Sequence, residues 1–252
     1  MGAEPTAARG PSDELRRAAA FVFVTDLDAP EPDDADAHHL ADVLRLRAGE
    51  VVAVGDGRGR WRLCKLVRPG TRRAVGLEIA GVPVVTPPVG DPVTVGFALL
   101  KGDRPDWTVQ KLTECGVDRI IPLLSERTVV RLDADARRRR GARLRRVARE
   151  AAAQSRRAHL PEVSDPLPLV DALDGLPAET TALAEPGAAP LSTAVRALLV
   201  GPEGGWSPGE LAAAPALVGF GPLVLRGETA AVVAGVLLAT ARGSFALGGH
   251  GE

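Results

Sequence analysis

The sequence predicts an α/β domain preceded by a small, β-rich unit, and three observations carry that expectation. From residue 93 onward, short apolar runs alternate with helical stretches, as in strands covered by helices. Between residues 21 and 81 the runs are short and mostly strand-like, which fits a small barrel. The segment between them, Gly81-Val-Pro-Val-Val-Thr-Pro-Pro-Val-Gly-Asp-Pro92, is rich in proline. Proline denies ladder donors and stiffens the chain, so this segment reads as a linker.

Taken in order, residues 1–20 are expected to be loosely ordered, 21–81 to form the barrel, 82–92 the linker, 93–243 the α/β domain and 244–252 a tail. The barrel has predicted strands over 21–24, 51–54, 60–67 and 74–79, with a brief helix through 39–44. In the larger domain, strands are predicted over 93–100, 119–122, 181–184, 197–200 and 223–225. Helices are predicted over 105–115, with proline at the start and Gly116 at the end, and over 142–157, 208–214 and 230–241.

At 252 residues, 45% hydrophobic and 25% charged, the chain has an ordinary soluble composition, large enough for a small and a larger domain. Its start lacks a hydrophobic signal core, and its longest apolar run, 230–239, is well short of the roughly 20 residues that a membrane span needs. A cytoplasmic, soluble protein is expected. Cys64 and Cys115 form no Cys-x-x-Cys pair, and His38, His39, His159 and His250 show no ligand spacing with cysteine or carboxylate. Reduced thiols and no metal are therefore expected.

The formal net charge of -1 conceals segregation, with six acidic residues within 26–36 and eight arginines within 137–149. Such a basic segment in a near-neutral chain is either a solvated helix face or a local polyanion contact. Arg145, Arg149 and Arg156 share one helical stripe, opposite Leu144, Val147, Ala148, Ala151 and Ala152.

Two loops stand out near the carboxyl end. Leu198-Leu-Val-Gly-Pro-Glu-Gly-Gly-Trp206 and Gly221-Pro-Leu-Val-Leu-Arg-Gly-Glu-Thr-Ala-Ala231 each run an apolar strand into a glycine-rich or charged loop, which delivers both loops to one end of a sheet. Glycines let backbone approach a ligand closely. The first is no triphosphate loop, because no Gly-Lys-Ser/Thr follows. For either loop alone, a plain turn with a surface ion pair is the alternative. A third glycine-rich stretch, Val51-Val-Ala-Val-Gly-Asp-Gly-Arg-Gly59, imitates a nucleotide-binding loop, but that motif demands a following helix. Residues 61–67 alternate polar and apolar instead, so a hairpin turn is expected there.

Together, His39-Leu-Ala-Asp-Val-Leu-Arg-Leu-Arg47, Gly55-Asp-Gly57, Lys101-Gly-Asp-Arg104, Gln110-Lys111, Glu114-Cys-Gly-Val117, Ile121-Pro122, Ser125-Glu-Arg127, the 150–156 segment, Pro161-Glu-Val163, Gly201-Pro-Glu-Gly-Gly205 and Leu225-Arg-Gly-Glu-Thr-Ala230 resemble the RsmE family. These are bacterial 16S ribosomal RNA uracil-N3 methyltransferases of the SPOUT superfamily, and the resemblance runs from about residue 21 to 243. It implies a PUA-like RNA-binding barrel followed by a trefoil-knotted SPOUT domain, a rare chain topology. It also implies S-adenosylmethionine as cofactor, a homodimer that builds the active site from both subunits, and 16S rRNA of the small ribosomal subunit as partner.

By motif match, the cofactor contacts are Leu183, Gly201, Pro202, Glu203, Gly204, Gly205, Phe220, Gly221, Leu223, Leu225 and Thr229. Uracil N3 must lose its proton before it can take a methyl group, and the developing anion calls for positioned guanidinium groups. Arg226 is the first candidate, followed by Arg127 and Arg156. Glu228 could accept the proton or hold Arg226 by an ion pair, and Glu203 has the same ambiguity. The chain departs from the family pattern at Leu223, where arginine is usual, and at Gly227, where a hydroxyl residue is common. A SPOUT enzyme with another target nucleotide, or a non-catalytic RNA-binding assembly factor, are the other readings.

Overall fold

The computed structural model describes residues 11–67 and 75–244, so the expectations for residues 1–10, for the start of the 74–79 strand and for most of the tail lie outside the described residues. Two compact units divide the chain, Met1–Pro88 with Ala152–His159, and Val89–Ala151 with Leu160–Glu252.

The first unit opens with α1 (Pro11–Arg17) and β1 (Phe21–Phe23). Leu15, Ala18 and Ala20 are buried, so these side chains of the start pack into the unit. α2 (Asp34–His38) is capped by Asp33, whose side chain accepts from the Asp36 amide, and continues as one π-helical turn, His39–Val43. β2 (Val51–Gly55) and β3 (Arg60–Val67) form the expected hairpin. Asp56 Oδ1 closes its turn by accepting from the amides of Arg58 and Arg60, at 2.7 and 3.1 Å, while Gly57 and Gly59 take φ of 74° and 93°. No helix follows, which disposes of the nucleotide-loop alternative.

β4 (Gly76–Ile79) and β5 (Val84–Val85) both pair with β3, giving the order β1-β2-β3-β4 with β5 off that path. Leu40, Val52, Val54, Cys64 and Leu66 fill its core. The proline-rich segment is therefore only partly a linker. Its prolines flank β5 rather than occupy it, so Thr86 can donate its amide to Gly59 O at 2.8 Å and accept from Trp61 Nε1 at 3.0 Å.

In the second unit, β6 (Thr94–Ala98), α3 (Arg104–Glu114), β7 (Arg119–Leu124) and α4 (Ala134–Gln154) are followed by β8 (Glu162–Val163), β9 (Leu167–Pro168) and α5 (Leu169–Asp174). Then come β10 (Thr181–Ala184), β11 (Ala197–Val200), α6 (Pro208–Ala212), β12 (Leu217–Val218) and α7 (Gly227–Ala241). The sheet is wholly parallel, in the order β12-β10-β11-β6-β7-β8, with β9 also on β7. Its strands are apolar on both faces because both faces are covered. Val95, Phe97, Ile120 and Leu198 meet α3, α4 and α7, while Ile121, Leu123, Leu183 and Leu199 meet α5 and Trp206. Gly96 is glycine for a steric reason, since a Cβ there would lie 2.4 Å from Leu199 Cδ2 and 3.0 Å from Leu123 Cδ1.

Several boundaries differ from expectation. α4 starts at Ala134 and so takes in Arg137 to Arg140, α7 starts at Gly227, and β8, β9 and α5 have no counterpart in the sequence reading. The predicted strand over 223–225 is absent. β12 takes the edge position beside β10, and Leu223 and Val224 stand 76% and 85% exposed in the loop beyond it. Among the described residues, no helix is long and apolar enough to cross a membrane.

Candidate active site

The chain order places a crevice in the second unit. β6, β7 and β8 step outward on one side, whereas β11, β10 and β12 lie on the other, so the connections reverse direction between β6 and β11. In open parallel sheets, ligands collect beyond the carboxyl ends of strands at such a reversal. A cleft with a cavity volume of about 120 Å³, open at its mouth, lies where β10, β11 and β12 end, lined by Glu185, Gly201, Pro202, Glu203, Gly205, Phe220, Gly221, Leu223, Val224, Leu225 and Gly227 among others.

Local chemistry explains how the glycine loop holds its shape. Trp206 is buried, and its Nε1 donates to Ala184 O at 3.0 Å, which lays the ring flat against Gly201. A Cβ on Gly201 would sit 2.9 Å from that ring, so glycine is required there for close approach. Gly205 takes φ of 69°, and Ser207 then starts α6 with a capping box to Glu210. Glu210 also reaches across to the loop after β7, where its Oε1 accepts from the Glu126 amide at 2.9 Å. That bond sets the neighbouring Arg127, whose Nη1 donates to Gly204 O at 2.7 Å.

Arg226 is the N-cap residue of α7 and is exposed. Among the described residues its guanidinium has no carboxylate partner, so the expected Arg226–Glu228 pair is replaced by another. Arg104, the first residue of α3, places Nη1 2.7 Å from Glu203 Oε1 and 3.7 Å from Glu228 Oε2. Glu228 is 14% exposed, and its Oε2 is buried without a hydrogen-bond partner among the described residues.

Of the residues expected to hold a cofactor, Gly201, Pro202, Glu203, Gly205, Phe220, Gly221, Leu223 and Leu225 line the cleft. Leu183, Gly204 and Thr229 do not. Leu183 points into the core beside Trp206, Gly204 sits at the outer edge and Thr229 is exposed in the first turn of α7. Arg156 belongs to the first unit. It has φ of 58°, and its Nη2 donates to Ala18 O at 2.9 Å, with the carbonyls of Ala19 and Ala153 also in reach. Partial burial there lowers the pKa of its guanidinium. These bonds commit its guanidinium to backbone carbonyls within the first unit.

A family model described as an RNA methyltransferase domain matches residues 87–239, and one described as an RNA methyltransferase PUA domain matches 32–79. A ribosomal RNA small subunit methyltransferase E of Mycobacterium bovis is 37% identical over 225 residues, covering 80% of this chain and 82% of its own. The chain belongs to the ribosomal RNA small subunit methyltransferase E family. The protein of that name from Synechocystis sp. is 34% identical over 217 residues, covering 79% of this chain and 69% of its own. Among solved structures, the Neisseria gonorrhoeae member bound to S-adenosyl methionine is 30% identical with a TM-score of 0.77, covering 88% of this chain and 97% of that one. A probable rRNA-methyltransferase from Porphyromonas gingivalis is 27% identical with a TM-score of 0.75, covering 90% of this chain and 100% of that one.

Within that family frame, three site residues escaped sequence reasoning. Trp206 closes the glycine loop, Glu185 stands at the end of β10, and Arg104 binds Glu203 and stands 3.7 Å from Glu228. Lys101-Gly-Asp-Arg104 was a usable signal, since it follows β6 at the same end of the sheet as the two loops.

Proposed function

We propose that this chain methylates small-subunit ribosomal RNA with S-adenosylmethionine, and that the acceptor is N3 of a uridine in 16S rRNA. The observation that carries the reading is the glycine-walled cleft at the carboxyl ends of β10, β11 and β12, in a member of this methyltransferase family. The residues present suit the donor. Phe220, Leu223, Val224 and Leu225 offer apolar wall, Gly201 and Gly205 allow close backbone approach, and Glu185 and Glu203 favour a cationic ligand.

When bound, S-adenosylmethionine supplies an electrophilic methyl group on a sulfonium centre. Uracil N3 lies between two carbonyls, so losing its proton spreads negative charge over O2 and O4. Arg226 meets that need, because its guanidinium is exposed and free of carboxylates among the described residues, next to wall residues Leu225 and Gly227. The amino end of α7 adds its own partial positive charge. Arg127, steadied on Gly204 O, is the second cation. Arg156 is left out of this set because its guanidinium already serves backbone carbonyls.

A homodimer suits the exposed apolar side chains of Leu223, Val224, Val236 and Leu237, which a second copy would cover. The knotted topology draws support from the path of the chain end. Gly219 donates its amide to Ala189 O at 2.8 Å, and α7 then returns to pack on α3, β6 and β11. A cytoplasmic protein acting on 16S rRNA within the small subunit is the reading in keeping with a ribosomal RNA substrate.

Calorimetric titration with S-adenosylmethionine, followed by mass mapping of 16S rRNA from a deletion strain with and without this gene, tests the reading. A single uridine gaining one methyl group on complementation is expected. No heat of binding, or a methyl group restored on another kind of nucleotide, would refute it.

A further inference from the structure

Three loops meet at the mouth of the cleft, after β6, after β11 and after β12, and Arg104 joins them. It opens α3 directly after the β6 loop, and its Nη1 touches Glu203 of the glycine loop at 2.7 Å while standing 3.7 Å from Glu228, two residues beyond Arg226. The backbones converge at the same seam, where a Cβ on Gly227 would lie 3.7 Å from Gly201 O and 3.6 Å from Leu100 Cδ2. The two carboxylates are unequal. Glu203 is half exposed and lines the cleft, whereas Glu228 is mostly buried, with Oε2 lacking a hydrogen-bond donor among the described residues. A buried carboxylate oxygen without a donor is costly, and a guanidinium about one ångström beyond hydrogen-bond contact is the group placed to satisfy it.

We propose that Arg104 is a positioning residue that couples occupancy of the cleft to the placement of Arg226, an inference that rests on the methyl-transfer reading. A cationic donor in the cleft competes for the Glu203 carboxylate. Arg104 is then free to shift onto Glu228 Oε2, which fixes the first turn of α7 and the arginine that caps it. One guanidinium with two carboxylate partners thus has two arrangements, and donor binding selects between them. By linkage, the arrangement that favours the donor also favours the ordered α7 start.

The test compares wild type with Arg104→Ala, Arg104→Lys, Glu203→Gln and Glu228→Gln. The measurements are the dissociation constant for S-adenosylmethionine and the single-turnover rate, at saturating donor, on small subunits lacking the mark. Arg104→Ala should leave donor binding as tight as wild type or up to about tenfold tighter, because nothing then competes for Glu203, and should slow transfer roughly a hundredfold. Arg104→Lys should restore part of the competition for Glu203 but little of the rate, because an ammonium cannot span two carboxylates as a planar fork does. Glu203→Gln should act mainly on the dissociation constant and Glu228→Gln mainly on the rate.

A donor affinity clearly weakened in Arg104→Ala, or a transfer rate within about twofold of wild type, would overturn the inference. Should Arg104→Ala fail to fold, the two glutamine variants decide, and identical effects of both on affinity and rate would overturn it. A wild-type protein that neither binds the donor nor methylates refutes the methyl-transfer reading itself, whereas an active wild type with an equally active Arg104→Ala refutes only the coupling.

Discussion

Replacing Gly201 by alanine should damage the cleft far more than the same change at Gly204, three residues along the same loop. A Cβ at 201 would stand 2.9, 3.1 and 3.3 Å from Trp206 Cε2, Cδ2 and Nε1, whereas a Cβ at 204 meets nothing closer than Arg127 at 3.8 Å. Comfortable carbon contacts begin near about 3.5 Å, so the indole must retreat by about half an ångström. Trp206 has little room to do so, because it is buried and its Nε1 holds Ala184 O at 3.0 Å. Overpacking of this kind costs about 1–3 kcal/mol, and a weakened buried hydrogen bond adds about 1 kcal/mol. The loop is the wall of the cleft, so much of that penalty should appear as lost affinity for S-adenosylmethionine, roughly tenfold to a hundredfold at about 1.4 kcal/mol per decade. Calorimetric titration and a thermal melt followed by tryptophan fluorescence measure the two parts. A Gly201→Ala protein with wild-type affinity and melting temperature, or a Gly204→Ala protein equally impaired, would refute the packing argument.

Arg226→Ala should lower single-turnover methyl transfer by about a hundredfold or more without moving the melting temperature, since the side chain is exposed and unpaired among the described residues; wild-type rates would remove it from the mechanism. Arg62→Ala should destabilise the first unit by about 2–4 kcal/mol in urea unfolding, because it strips the donors from Leu27 O and Gly81 O, now at 2.9 to 3.1 Å. Burial raises the pKa of the Cys64 thiol, and burial followed by the Glu114 charge raises that of Cys115. The folded state therefore binds these protons more tightly, so their contribution to stability is full below the ordinary thiol value of about 8.5 and falls as pH rises through the higher folded values. Unfolding midpoints at about pH 7 and about pH 9.5, together with iodoacetamide labelling slower than that of free cysteine, check this; labelling at the free rate contradicts it. Leu237→Asp should shift the protein toward monomer in sedimentation if α7 lies at a subunit interface, and an unchanged mass would point away from that face.

Much of the fold was legible because local periodicity and turn chemistry agree with the final packing. The strands over 181–184 and 197–200 appear as expected, since fully buried parallel strands read as continuous apolar runs. The hairpin at Asp56 was legible because the residues after it alternate. The strand over 223–225 misled for the same reason that the others succeeded, since its residues are apolar but line a cleft mouth instead of joining a sheet. The bonds of Arg156 to the carbonyls of Ala18 and Ala19 were not legible, because helical spacing carries no signal of partners that far away in the sequence.

By itself the sequence determined the longer strands and helices and the two glycine-bearing loops, since these depend on neighbours within a few positions. Only the tertiary structure decided that Glu228 answers to Arg104 and not Arg226, that Trp206 is the reason for Gly201, and that residues 152–159 belong with the first unit. Contacts between residues as far apart as Arg104 and Glu203 arise from how strands are ordered in the sheet, and strand order leaves no local periodicity to read.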